Sequence, residues 1–301
     1  MAQSSITSKH TLHSIFIEAN VKLIFSNDLI LFKGATKKFQ DQLDQMNVQY
    51  PDSYVTGSLC FSIDAWKKVT HISVPSDLKS VNTLSFLPNA NQRDFFIHIS
   101  SDRFDVAFQL TQDTIKNFGN TIRIEQEVHG FRRIESRDLS GFIDGTGNPQ
   151  TDVDRENTTL IPQGQPHENG SYVFAQRWIH HLENWEQQSV QYQQDTIGKV
   201  KKDSGFIPPA NRPANSHVSR VGIVENGTRL KILRQSLPYG LASGEKGLFF
   251  VAFTNKFHNI EVMLKSMFGK TDGKQDLILR FTVPSSGSIY YAPSKEELYN
   301  L

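Results

Sequence analysis

The sequence predicts an α+β protein made of two ferredoxin-like halves, each with a strand-helix-strand-strand-helix-strand plan and antiparallel sheets. Two observations support this prediction. Strand-like and helix-like segments follow one another in the same order in both halves of the 301 residues. The segments FFIHIS and FFVAFT also occupy corresponding places, because each begins a strand that leads into a helix ending in Phe-Gly. With the boundary near residues 135–141, the N-terminal half is 1–138 and the C-terminal half is 139–301.

The N-terminal half begins with a predicted strand at HSIFIEANVKL, where β-branched and aromatic residues alternate with polar ones. The stretch KGATKKFQDQLDQM has apolar residues at helical spacing and predicts a helix. Strands are predicted at YVTGSLCFSIDAW and FFIHIS, followed by a helix through DVAFQLTQDTIKNFG that ends at glycine. The strand TIRIEQEVHGF completes this half.

The C-terminal half repeats the pattern. A strand at SYVFAQRWIHHL precedes a helix at ENWEQQSVQYQQDTIGKV, and strands are predicted at SHVSRVGIV and RLKILRQSLPYG. The last unit is the strand GLFFVAFTN, the helix KFHNIEVMLKSMFG and the strand DLILRFTV.

Composition narrows the function. Lys and Arg (32) nearly balance Asp and Glu (31), and no long basic run occurs, so nucleic acid and membrane surfaces are not expected partners. Cys60 is the only cysteine, which excludes an internal disulfide, a four-thiolate metal centre and a C-x-x-C-H haem attachment. No apolar stretch has the length of a signal peptide or a membrane helix. We expect a soluble, cytoplasmic protein that acts on small molecules.

The most glycine-rich turn is GFIDGTGNP, at 141–149. Asp-Gly and Asn-Pro favour turns, so a surface turn is one interpretation. A dinucleotide loop does not fit, because a third glycine is missing and no helical pattern follows at once. A calcium loop does not fit either, because the twelfth position from Asp144 is Arg155, where a carboxylate is required.

Further motifs downstream complete a family pattern. GFIDGTGNP, then SH with a following Arg, then RQSLPYG and LRFTVPSSGSIYYAPS together resemble the dye-decolourising peroxidases, in the bacterial subgroup without a secretion signal. The resemblance runs in order over nearly the whole chain, from IEANVK to the carboxyl terminus. It implies two ferredoxin-like halves with one non-covalent haem b, held mainly by the second half.

The resemblance implies that His217 is the iron ligand, and therefore the metal-binding residue. A ligating imidazole is usually oriented by a carboxylate on its other nitrogen. Asp276 occupies the matching position, and Asp272 is a second candidate close by.

On the peroxide side, the resemblance implies that Asp144 carries a proton and that Arg234 stabilises negative charge or binds a haem propionate. Ser236 would hold a water molecule. Gly145 would let the loop backbone approach the porphyrin where a side chain would clash.

Two positions depart from the family pattern. Gly147 stands where related sequences often have Glu, which alters the polar lining of the peroxide entrance. Lys199 stands where Arg commonly reaches a haem propionate, and lysine supplies charge without the planar guanidinium fork.

We therefore expect a peroxidase that uses hydrogen peroxide to oxidise small organic electron donors such as dyes, phenolics and porphyrinogens. One alternative is a haem-handling protein that oxidises porphyrinogens or releases iron from haem. A second is a ferredoxin-like binding module without catalysis. A homodimer or a higher homo-oligomer is the expected assembly, with the dimer as the default because a symmetric dimer is the commonest oligomer.

Overall fold

A computed structural model describes the whole chain, Met1–Leu301. The strands are β1 (His13–Val21), β2 (Thr56–Phe61), β3 (Phe95–Ser101), β4 (Ile122–Phe131), β5 (Ser171–His180), β6 (Val224–Glu225), β7 (Thr228–Arg229), β8 (Leu233–Arg234), β9 (Leu237–Gly240), β10 (Lys246–Thr254), β11 (Thr282–Pro284) and β12 (Ser288–Ala292). The α-helices are α1 (Asp28–Gln49), α2 (Ile63–Val69), α3 (Phe104–Phe118), α4 (Asp152–Thr159), α5 (Leu182–Glu186), α6 (Val190–Ile197), α7 (His217–Val221), α8 (Phe257–Met267) and α9 (Lys295–Tyr299). None of these helices combines the length and apolar character that crossing a membrane requires.

The predicted α+β class and its repeated plan are confirmed. The order β1-α1-β2-β3-α3-β4 in the first half corresponds to β5, the helices α5 to α7, then β9-β10-α8-β12 in the second. All ladders between these strands are antiparallel.

The two half-sheets join into one closed ring of eight strands in the order β1-β3-β2-β12-β5-β10-β9-β4, which returns to β1. Each junction between the halves has a single registered pair, Tyr291 with Phe61 and Gly130 with Tyr239. A Cβ on Gly130 would lie 2.7 Å from the Leu237 Cβ and 2.9 Å from the Phe16 ring, so the second junction requires glycine. Closure leaves the main sheet without free edges.

Alternate residues of each strand separate two cores. Inside the ring, Phe16 stacks on Phe249 with ring centroids 4.4 Å apart. Outside it, the opposite strand faces form a larger core with helices such as α1 and α3. The same alternation directs Phe174 and Trp178 of β5 outward, towards the cavity described below.

The prediction of a strand at SHVSRVGIV is wrong, because residues 217–221 form helix α7. Ser216 caps this helix, and its hydroxyl accepts the Ser219 amide. A Ser followed by β-branched residues satisfies both strand and helix-start patterns, and the cap decides the outcome here.

The prediction of a strand at DLILRFTV is correct only at its end, where β11 begins at Thr282. Residues 277–280 instead form a 3-10 helix that Asp276 caps by accepting the Ile278 amide at 3.0 Å. The capping carboxylate therefore breaks the strand pattern at the residue that the resemblance singles out.

Other differences concern element boundaries. The predicted helix at ENWEQQSVQYQQDTIGKV is divided into α5 and α6, because Ser189 caps a new helix. YVTGSLCFSIDAW contains β2 and then α2, which Ser62 caps. The predicted strand RLKILRQSLPYG is divided among the short strands β7, β8 and β9. Helices α4 and α9 and strand β12 were not predicted.

Candidate active site

One cavity of about 420 Å³ lies outside the ring, between the outward faces of β5 and β10 and the helices α7 and α8. The cavity is lined by 35 residues, and all 35 lie between Asp138 and Thr282 in the sequence. Twenty of them are hydrophobic. Apart from Asp138, the last residue of the N-terminal half, the C-terminal half therefore supplies the lining. Of the predicted site residues, Asp144, Lys199, His217, Arg234 and Ser236 line this one cavity.

His217 is the first residue of α7 and keeps 26% of its side chain exposed. Its Nδ1 lies 2.8 Å from Oδ2 of Asp276, whose side chain is fully buried. Since a carboxylate only accepts, Nδ1 carries the proton and Nε2 is free to act as a ligand. The backbone bond from the Leu277 amide to the Asn215 carbonyl holds the two segments together.

Asp272 has a different partner. Its carboxylate accepts two bonds from the Arg220 guanidinium, at 2.8 and 2.9 Å. The geometry therefore separates the two candidates that the sequence left open, because Asp276 orients His217 and Asp272 pairs with Arg220.

Asp144 and Arg234 form a second pair of side chains at the cavity. Oδ1 of Asp144 lies 3.5 Å from Nη2 of Arg234, and both side chains are about four-fifths buried. Asn148 holds this arrangement by donating to the Arg234 carbonyl at 2.8 Å and accepting from the Arg234 amide at 3.1 Å. The loop 141–149, here called the aspartate loop, is thereby fixed to β8.

The charges around Asp144 favour its ionised form. Burial is the largest influence and raises its pKa, but Arg234, His10, the Gly145 amide and Lys199 together hold the pKa below its ordinary value. The Gly145 amide donates to Oδ1 at 2.7 Å.

Asp138, a second carboxyl in the cavity, behaves in the opposite way. Burial raises the pKa of Asp138 to about 6, and the nearby negative charge of Asp144 adds to the increase. Two carboxyl groups in one cavity are thus pushed towards different protonation states, an arrangement typical of acid–base sites.

Lys199 donates to the Thr146 hydroxyl at 2.6 Å, and its Nζ lies 5.1 Å from the centre of the Phe206 ring. Burial, followed by the charge of Arg234, lowers its pKa to about 8. Lys199 therefore brings a cation to the cavity whose charge is sensitive to mildly alkaline pH.

The remaining predicted residues have more local contacts. The Ser236 hydroxyl accepts a hydrogen bond from the Val251 amide at 3.2 Å, which ties this side chain to strand β10. Gly145 adopts a φ of +77°, which favours glycine. A Cβ on Gly147 would lie 4.0 Å from Nη2 of Arg234, so this glycine leaves open space beside the guanidinium.

Sequence reasoning missed Asp138, Asn148 and His10. Asn148 lies within the glycine-rich turn 141–149, and Asp138 precedes that turn by a few residues. Their closeness to Asp144 in the sequence could therefore have identified both. His10 comes from the segment before β1, and its Nε2 lies 2.7 Å from the Ser236 carbonyl. No local pattern marks it.

Comparison with protein families agrees with this geometry. Residues 3–132 match the model described as "Dyp-type peroxidase, N-terminal", and residues 135–297 match "Dyp-type peroxidase, C-terminal". The chain belongs to the dye-decolourising peroxidase family. It is accordingly a DyP-type peroxidase, and this family's peroxidases are haem enzymes.

Individual relatives cover most of the chain. A curated dye-decolorizing peroxidase of Mycobacterium tuberculosis is 30% identical over 86% of this chain and 79% of its own length. A dye-decolorizing protein of V. cholerae has a TM-score of 0.90 at 34% identity and covers 99% of both chains. A variant of Rhodococcus jostii RHA1 DypB, solved in complex with heme, has a TM-score of 0.92 at 27% identity over 100% of this chain and 98% of that one.

The cavity fits a haem group by three features of this structure. Its lining is mainly apolar, as a porphyrin face requires, and its volume lies in the range of cofactor pockets. His217 presents a free Nε2, and Asp276 holds the ring in the tautomer that a metal ligand needs. Arg234 and Lys199 supply cations that suit propionate groups.

Proposed function

We propose that this chain binds one haem b without a covalent link, with His217 as the iron ligand, and uses hydrogen peroxide to oxidise small organic reductants such as dyes, phenolics and porphyrinogens. The observation that carries the proposal is that His217, which Asp276 orients from outside the lining, and the pair of Asp144 and Arg234 all line one mainly apolar cavity.

A haem bound here would supply the iron at which peroxide is reduced, and the organic reductants would supply the electrons. Asp144 is ionised and can take a proton from one peroxide oxygen and return it to the other, so that water leaves. Arg234 keeps a fixed positive charge beside that carboxylate and stabilises negative charge as it develops on oxygen. The apolar walls strengthen both effects, because they exclude water.

The matched variants H217A and H258A test the ligand assignment. His258 lies on the surface, half exposed, and pairs with Glu225. Titration with haem should give a Soret band in the wild type and in H258A, and much weaker haem retention in H217A. Full haem occupancy and an unchanged spectrum in H217A would show that another residue is the ligand.

A peroxide titration of the haem-loaded wild type, with dyes and phenolics as reductants, tests the activity. Reductant oxidation that depends on peroxide supports the proposal. Release of free protoporphyrin in the absence of peroxide would instead favour the haem-handling alternative.

We also propose that the chain self-associates. Ile24, Phe25, Ile30 and Leu31 are each more than half exposed, and an apolar surface of this kind favours contact with another protein surface. Light scattering that returned a mass near 34.2 kDa would contradict a dimer.

A further inference from the structure

His10 brings the N-terminal half of the chain to the aspartate loop. It lies in the segment before β1, and its Nε2 is 2.7 Å from the backbone carbonyl oxygen of Ser236. Its side chain does not line the cavity. Instead, its Nδ1 lies 3.9 Å from the position that a Cβ of Gly145 would take. The imidazole therefore lies next to the backbone of Gly145, the residue that follows Asp144.

The contact with Ser236 fixes the tautomer of His10. A carbonyl oxygen only accepts hydrogen bonds, so Nε2 carries a proton in both charge states of the ring. Nδ1 is then the atom that gains or loses a proton, and no protein atom forms a hydrogen bond with it. It faces the aspartate loop at Gly145, which has no side chain of its own, and the Asn148 amide nitrogen lies 3.8 Å from the same Cβ position.

The charges that face His10 come from four elements. Burial has the largest effect and lowers the pKa of His10. Arg132, which directly follows β4, and Arg234 on β8 also lower this pKa. Asp144 on the aspartate loop raises the pKa. His98 on β3 is kept neutral because burial lowers its pKa to about 3. Asp144 is thus the acidic group that favours a charged His10.

We propose that His10 is a positioning residue for Asp144: in acid it takes up a proton at Nδ1, and the resulting charge keeps Asp144 ionised. The inference rests on the proposed function, in which Asp144 accepts a peroxide proton and must therefore be a carboxylate. Interactions of this kind are reciprocal, so an ionised Asp144 also strengthens proton binding by His10. The pair would extend the peroxide reaction to lower pH than Asp144 could support alone.

The variant H10Q tests the effect on Asp144. A glutamine amide can still donate to the Ser236 carbonyl, but it does not titrate. We expect the acidic limb of kcat/KM for peroxide to move to higher pH by about 0.5 to 1 unit, less than the roughly 1 to 3 units typical of a contacting ion pair. H71Q, at an exposed position of the first half, is the matched control and should leave the limb in place. An H10Q limb that coincides with the wild type overturns the proposal.

A second measurement does not depend on turnover or on H10Q folding. Histidine NMR of the full chain, with its haem in the diamagnetic ferrous carbon monoxide form, should show a lower pKa for His10 in D144N than in the wild type. An unchanged His10 titration would overturn the proposal. If D144N leaves the acidic limb of the peroxide reaction in place, Asp144 is not the proton carrier, and the NMR result still decides whether His10 and Asp144 are coupled.

Discussion

The variant D276N separates the charge of Asp276 from its shape. In the wild type, Oδ2 lies 2.8 Å from Nδ1 of His217, while Oδ1 accepts the Ile278 amide at 3.0 Å. Both partners donate, and an asparagine amide offers one accepting oxygen and one donating nitrogen. With His217 in the tautomer that a ligand needs, one of the two hydrogen bonds is lost at a fully buried position whichever way the amide turns. Both bonds persist only if the ring moves its proton from Nδ1 to Nε2, and Nε2 then has no lone pair for a metal.

This loss has two measurable consequences. A buried donor left without a partner costs about 1 to 3 kcal/mol, which is the upper bound on the change in the free energy of unfolding of the haem-free chain, where the ring is free to change tautomer. Loss of the carboxylate that orients a metal-binding histidine typically weakens metal affinity 10- to 100-fold, or about 1.4 to 2.7 kcal/mol. We therefore expect haem affinity to fall by that factor, because His217 loses both basicity and orientation.

Denaturant unfolding of the haem-free protein measures the first effect, and competition with a haem-binding protein, followed at the Soret band, measures the second. D272N is the matched control, because it removes a nearby carboxylate that pairs with Arg220 instead of His217. It should lower stability but leave haem affinity unchanged. Equal losses of haem affinity in D276N and D272N, or no loss in D276N, would refute the assignment of Asp276.

Three further variants address the Asp144 side of the cavity. D144N keeps an acceptor for the Gly145 amide but cannot carry a proton, so the rate of the spectral change on peroxide addition should fall by about 10² to 10⁴; an unchanged rate and pH profile would leave Asp144 as a turn residue. R234L should retain haem but slow the same change by about 10² to 10³, and a wild-type rate in stopped-flow mixing would limit Arg234 to binding a propionate. D138N concerns stability: because the folded-state pKa of Asp138 is raised to about 6, above an ordinary value of about 3.9, the wild type loses stability as pH rises between these values. D138N should therefore be more stable than the wild type at pH 7 and lose that advantage at pH 4, which unfolding curves at the two pH values would check.

The fold was predictable where long apolar patterns fix the period. The segments with clear strand or helix spacing overlap strands β1, β3, β4, β5 and β10 and helices α1, α3 and α8, although α1 (Asp28–Gln49) extends beyond the predicted 33–46 at both ends. The pattern failed at short segments around the cavity, where capping by Ser216 and Asp276 outweighs β propensity. Closure of the two half-sheets into a ring was not predictable either, because each junction has one registered pair.

The candidate site was predictable where its residues belong to short motifs. Asp144, His217 and Arg234 were each named from a motif, and the structure brings all three to one cavity. His10 could not be found in this way, because its contact with Ser236 spans 226 residues. Asp272 and Asp276 could not be separated by sequence, since both lie close to the same strand-like segment and differ only in their hydrogen-bonding partners.

Gly147 and Lys199, the two departures from the family pattern, both lie near the pair formed by Asp144 and Arg234. A glutamate at position 147 would begin 4.0 Å from Nη2 of Arg234 and could compete with Asp144 for that guanidinium, whereas Gly147 leaves Arg234 to Asp144. Lys199 adds positive charge near Asp144 but, with a pKa of about 8, it loses that charge at a pH where an arginine would keep it. Arg234 is therefore the permanent cation beside Asp144, and Lys199 is charged throughout the acidic range in which Asp144 titrates. The charge that we propose for His10 adds to both only in acid.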